Sequence, residues 1–334
     1  MKISPLSLLL ATTFLSTSAF ALTTDELGTS DHIKWESATS SDYDVEVNTT
    51  DGIKYFKYSY KQPSNYTEIS GNIWINTNNQ TVDGYYFNGT SGNTVNNGNY
   101  TDIKIISDFA YGERGVSNTG TISSINGVFF GNQNNYGQPQ AGAIYNEGII
   151  TSIVADFINN SACYNGYDAL GGAIVSAKNP GKSGIIDSIT GDFIANNVYS
   201  SSGSAVGGAM YLFGGSQTGT IKGDFIANYA QGYDIARGGA ITLVTGENTQ
   251  GTAPYSSTPT SIQKLEGNFV DNYTKANDTA EGGAIYNLAG NITQIEGSFE
   301  KITQNHMIIK GMQMVGLFII AVMPGVATLI WGLK

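Results

Sequence analysis

Apolar residues along this chain neither alternate for long stretches nor recur at helical spacing. They come in short bursts bounded by Gly, Asn, Asp and Thr, which is the signature of short strands joined by turns. The bursts keep phase with one another. The phrase I-x-x-I-x-G-x-F-x-x-N fits Ile122–Asn132 (ISSINGVFFGN) in full. It returns at Ile150–Asn160 (ITSIVADFINN), with Ala155 in the glycine slot, and at Ile186–Asn196 (IDSITGDFIAN). Thr218–Asn228 (TGTIKGDFIAN) loses the first Ile, and Ile262–Asn272 (IQKLEGNFVDN) has Leu265 for the second. A sixth copy starts at Ile292 (ITQIEGSFEKI) but carries Ile302 where Asn is expected.

A second phrase follows each of the first five Phe residues, its second glycine falling 13 to 15 positions on. It reads AGAIYN around Gly142, GGAIVS around Gly172, GGAMYL around Gly208, GGAITL around Gly239 and GGAIYN around Gly283. The return from this phrase to the next Phe varies more, reaching 30 residues between Gly239 and Phe269. A fixed spacing on one side and a variable one on the other describe a repeated coil with insertions at one corner.

Each coil of about thirty residues is predicted to hold three short strands and a polar loop of about ten residues. Glycine at this density would cost a helix about 1 kcal/mol apiece. Parallel stacking at about 4.8 Å per coil places Phe129, Phe157, Phe193, Phe225, Phe269 and Phe299 in one interior column. Ile144, Ile174, Met210, Ile241 and Ile285 form another. Asn132, Asn160, Asn196, Asn228 and Asn272 suit a turn that tolerates left-handed backbone, or a stacked amide ladder. Gly142, Gly172, Gly208, Gly239 and Gly283 suit a corner with positive φ or close backbone approach. The fold class is therefore all-β, a parallel, right-handed β-helix solenoid over residues 119–305 with a C-terminal hydrophobic helix.

The flanks differ from the repeats. Residues 1–21 read as a secretory signal peptide: Lys2, an apolar run from Leu6 to Leu15, and Ala19-Phe20-Ala21 as the cleavage site. Residues 22–118 are rich in Asn, Thr, Tyr and Asp and are expected to form a cap with degenerate first rungs, or a separate ligand-binding head. Residues 306–334 change character, and Met312 to Leu333 carries no charge over 22 residues, enough to span a bilayer. Three readings stay open for this tail: a transmembrane anchor, the product of a shifted reading frame, or an apolar cap on the solenoid.

Composition narrows the chemistry. The 334 residues carry a net charge of −11 and two arginines, Arg114 and Arg237. No cationic cluster exists to replace counterions along a phosphate backbone, so nucleic acid is excluded as a partner. The single Cys163 excludes an intrachain disulfide framework, and His32 and His306 lie far apart. No nucleophile–base set, zinc spacing or phosphate loop is present, and no cofactor is implied. Nine N-x-S/T sequons, Asn88 and Asn291 among them, are expected by chance in a chain so rich in Asn and Thr.

The pairing of FFGN, FINN, FIAN, FIAN and FVDN with AGAI, GGAI, GGAM, GGAI and GGAI resembles the repeats of chlamydial polymorphic outer-membrane proteins and, more broadly, autotransporter passenger domains. The resemblance covers about 190 residues. It implies a secreted β-helix shown at the surface of a Gram-negative cell, often as an adhesin. Such proteins end in a β-barrel translocator. Here no alternating barrel strands follow the repeats, and the chain is expected to lack that barrel.

The expected function is an adhesin-like surface passenger that contacts a glycan or protein receptor. Its expected location is the cell surface, outer membrane or medium, with an inner-membrane anchor if the tail is a helix. The alternative is a polysaccharide-degrading β-helix enzyme, a lyase or glycosidase. For that, Asp156, Asp192 and Asp224, with Asn268 in the next copy, would form a carboxylate column. A turn position filled by Asp is the plainer reading, so no catalytic or metal-binding residue is assigned.

Overall fold

The computed structural model describes residues 33–43, 45–49, 52–60, 67–70, 73–75, 85–88, 92–96, 103–108, 115–135, 139–245 and 258–306. Among these the chain is wholly β and turn. The expected leader and the apolar tail after His306 lie outside the described residues.

The repeats form a parallel β-solenoid of five rungs and the start of a sixth. Rung 3 illustrates the path. Ile185–Thr190 makes an isoleucine strand, and Phe193–Ile194 a phenylalanine strand beyond a glycine bend at Gly191 (φ 142°). Asn197–Ser200 then runs outward, Ala205–Val206 returns, and Met210–Phe213 closes the coil as the GGAI strand. Each strand pairs in register with its counterparts above and below. Ile153 faces Ile189, Phe157 faces Phe193, Val198 faces Ala230, and Met210 faces Ile241. Rung 1 also pairs with earlier strands: Thr121–Phe130 with Ile103–Asp108, and Ile144–Asn146 with Val116–Asn118, which meets Gly92–Asn96. Further toward the N-terminus, Ile33–Ser37, Gly52–Tyr60 and Val45–Thr49 form an antiparallel sheet.

One prediction needs correction. The ten-residue stretch after each F-x-x-N is not a polar loop. It folds into the outward and return strands of a side lobe, so that rungs 3 to 5 have five strand segments in place of three. The lobe has its own core of Ala169, Val198, Ala205, Ala230, Ala236, Ala276 and Ala280. These side chains are small because the two strands stand close together. The main core lies in the larger lobe and holds the Ile, Phe and GGAI columns. A third cluster forms where Leu170 and Val206 of the return strands meet Val175, Tyr211 and Phe213 of the GGAI strands. The GGAI wall is thus buried on both faces, which explains its continuous apolar run.

The neck between the lobes is where the two sequence phrases meet. On one side runs the asparagine ladder. Asn132 Nδ2 donates to Asn160 Oδ1 at 2.7 Å, Asn160 to Asn196 at 2.9 Å, Asn196 to Asn228 at 3.0 Å and Asn228 to Asn272 at 3.0 Å. Each Oδ1 also accepts the backbone N–H of the preceding ladder residue, as Asn228 does from Asn196 at 2.9 Å. From Asn160 on, each Nδ2 reaches back to a phenylalanine carbonyl, as Asn196 does to Phe157 at 2.8 Å. All five asparagines are fully buried. The left-handed backbone falls on the residue before each, namely Gly131, Asn159, Ala195, Ala227 and Asp271.

On the other side of the neck run the second glycines. A β-carbon on Gly208 would lie 1.9 Å from the carbonyl oxygen of Gly239 and 2.6 Å from that of Tyr229, the residue after Asn228. The same conflict would arise at Gly142 with Ser161 and at Gly172 with Asn197. The first glycine of each pair has the other role: Gly171, Gly207, Gly238 and Gly282 take φ of 59° to 71°. Beside the neck the six phenylalanine rings stack 4.7 to 5.1 Å apart, within 9° of parallel.

Two outcomes follow for stability. Asn196→Ala strands Asn160 Nδ2, the Asn160 amide and the Phe157 carbonyl, and should cost at least about 3 kcal/mol. Asn165→Ala on the exposed tip should cost about 0.5 kcal/mol or less; urea midpoints compare them. Gly208→Ala should leave the chain insoluble or without its cooperative melt. Gly131→Asn, at a left-handed corner with open space and asparagine at the equivalent Asn159, should shift the melting temperature by only about 2 °C.

Candidate functional site

The motif residues that dominate the sequence face inward. Phe129, Phe157, Phe193, Phe225 and Phe269 fill the main core, and Asn132, Asn160, Asn196, Asn228 and Asn272 are spent on the ladder. Gly142, Gly172, Gly208, Gly239 and Gly283 leave room for backbone. These side chains have no surface to offer a ligand.

The carboxylate column exists, and it serves the backbone. Asp156 Oδ1 accepts the amide of Asp192 at 3.0 Å, Asp192 that of Asp224 at 2.8 Å, and Asp224 that of Asn268 at 2.8 Å. Asn268 Oδ1 continues the series to the amide of Ser298 at 3.1 Å. A neutral amide therefore fills the slot as well as a carboxylate. Burial pushes the Asp156 carboxyl up to about 6, the Asp192 amide works against that, and the charge of Asp192 adds to it. Among the described residues, no three His, Cys, Asp or Glu side chains are gathered so as to hold a metal ion.

A second polar column escaped the motif reading. Asn118 Nδ2 donates to Asn146 Oδ1 at 2.8 Å, and Asn146 Nδ2 to Ser176 Oγ at 3.3 Å, closing the far end of the GGAI strands. The asparagines of VSN and AIYN were its signal. In the groove beside the GGAI wall, Arg237 and Glu281 stand where earlier rungs have Val206 and Leu170. Arg237 Nε donates to Glu281 Oε2 at 2.8 Å, and its guanidinium lies 4.9 Å from the centre of the Tyr286 ring. Burial raises the Tyr286 hydroxyl above its ordinary range.

Exposed side chains gather at the tip of the side lobe, where outward strands turn into return strands. Rung 2 contributes Asn165 and Tyr167 with half-buried Tyr164 and Asp168 beside them, rung 3 Ser202 with half-buried Ser201, and rung 4 Tyr233 with half-buried Asp234. Ser200, Gly203, Ser204 and Gly232 of the same turns are buried. Tyr167 stacks on Tyr164 with ring centres 5.7 Å apart and planes 7° from parallel. A β-carbon on Gly166 would sit 2.8 Å from the Tyr164 ring and would have to displace it. Tyr167 is nevertheless 61% exposed and Tyr233 53% exposed. The tips are tied to one another. Ser201 and Ser202 hydroxyls donate to the Asn165 carbonyl, Asp168 Oδ1 accepts the Ser204 amide, and the Tyr233 amide donates to the Gly203 carbonyl.

No family model, curated protein or solved structure matches this chain.

The carboxylate column yields a pH test. The unfolded Asp156 loses its proton near 3.8 and the folded one near 6. Between those values the folded state holds more protons, so this residue's contribution to stability falls as pH rises from about 4 to 6. Asp156→Asn should raise the melting temperature at pH 7.5, and the difference from wild type should vanish below about pH 4.

Proposed function

We propose that this protein is an exported, adhesin-like surface solenoid of the autotransporter-passenger type, whose work is contact with other surfaces. The observation that carries this reading is the separation of scaffold from variable surface. The repeated residues are buried in ladders and stacks. The residues that differ from rung to rung gather at the lobe tip and at the corner after the GGAI strand. A rigid frame presenting variable turns is an arrangement suited to recognition. The N-terminal leader supports export, and the paired F-x-x-N and G-G-A-I phrases support the passenger resemblance.

Polysaccharide cleavage is the competing reading, and it rests on Asp156, Asp192 and Asp224. It is weaker because each carboxylate is engaged by a backbone amide of the next rung.

Beads coated with the full chain should attach to epithelial cells and matrix-coated surfaces above beads coated with albumin. The protein should release no reducing ends from a polysaccharide panel. Absence of attachment would overturn the contact reading. Cleavage lost in Asp192→Asn with the melting temperature kept would establish the enzyme in its place.

A further inference from the structure

We propose that the tip of the side lobe binds a neutral, linear β-linked glycan, with Tyr167 and Tyr233 as stacking platforms two rungs apart. This inference rests on the contact reading and names its ligand. Among the residues whose side chains are described, Tyr43, Tyr167 and Tyr233 are exposed aromatic rings, and the last two share the tip. One exposed ring is ordinary on a protein surface; the informative feature is that two share one tip, each joining an apolar face to a polar hydroxyl.

Tyr167 is also pre-positioned. Its ring stacks on Tyr164, where Gly166 leaves room that a β-carbon would take from the Tyr164 ring, and it remains 61% exposed. Such a ring loses little further freedom when a flat apolar surface settles on it. The C–H face of a pyranose is such a surface.

Spacing supports an extended ligand. The rungs climb by 4.7 to 4.8 Å through this region, as the stacked phenylalanines record. That is close to the advance of one hexose in a straight β-linked chain, so rings two rungs apart meet alternate sugars. Between them rung 3 supplies Ser201 and Ser202, and the flanking Asn165, Asp234 and Asn277 supply further polar groups for ring hydroxyls. Tyr, Ser, Gly and Asn together form the adaptable polar surface with aromatic anchors that paratopes also use. The net charge of −11 and the acidic groups Asp168, Asp234 and Asp278 at the tip exclude sulfated or sialylated chains.

The test titrates the full chain with cellohexaose and chitohexaose by calorimetry, and repeats the bead assay with the same variants. Binding of either hexaose is expected, with about a tenfold loss in Tyr167→Ala and in Tyr233→Ala. Tyr167→Trp should retain binding, and Tyr43→Ala should leave it unchanged. Melting temperatures of the tip variants should match wild type, since these rings are outside every core cluster. Binding unaltered in the double Tyr→Ala variant would overturn the placement at the tip. Failure of both hexaoses while coated beads still attach would overturn the glycan and leave the contact reading standing. Hexaose binding without bead attachment would uphold the site and remove the contact reading.

Discussion

A β-carbon has no room at the neck, and the rest of the architecture follows from that exclusion. The second glycines Gly142, Gly172, Gly208 and Gly239 lie against the next rung's glycine carbonyl and against the first residue of its outward strand, and Gly283 lies against Thr303. Backbone approach this close divides one wide coil into two narrow lobes, each thin enough to be filled by the side chains available. The larger takes Phe and Ile. The smaller takes Ala and Val. Without the neck, the coil would enclose a space its residues could not fill, and voids in a packed interior forfeit contact energy directly.

The opposite wall of the neck carries the asparagine ladder, and the two features need each other. The close approach takes Asn amides out of water, which is tolerable because each donor and acceptor is met by a ladder neighbour or a phenylalanine carbonyl. This also explains the constant spacing between F-x-x-N and G-G-A-I. Everything between them is the side lobe, whose length is fixed by two short strands and a turn. The stretch after G-G-A-I has no such limit, and the long insertion between Val244 and Thr260 falls there. Thr260 pins that insertion, its hydroxyl donating to the Val244 carbonyl at 2.8 Å.

The main lobe was legible in the sequence because its signals are large and repeated. Phe193 and Met210 sit in the columns their phase predicted, and the stack of phenylalanines follows from one offset. The two proposed roles of the glycine pair are both present, divided between its members. The side lobe was not legible. Its core is alanine, whose apolar signal is weak, and its strands are two to four residues long, too short for alternation to register. The residue Ala236, two positions before Gly238, and its equivalents Ala169, Ala205 and Ala280 extend the phrase to A-x-G-G-A-I and mark the return strand. The left-handed corner was misplaced by one residue. The Asn side chain was needed whole for the ladder, so the backbone turn passed to its neighbour, even where that neighbour is Ala195 or Ala227. The aromatic tip left only a faint trace, the recurrence of Gly-Tyr-Asp at residues 166–168 and 232–234.

Because the hydrogen bonds between rungs run parallel to the solenoid axis, a pull between the solenoid's two ends loads one rung at a time. The outermost rung peels from its neighbour while those behind it stay closed. Each rung stores 28 to 44 residues in under 5.2 Å of height, and freeing it releases roughly 90–150 Å of extended chain. Under tension such a stack would lengthen in large discrete steps, one rung at a time.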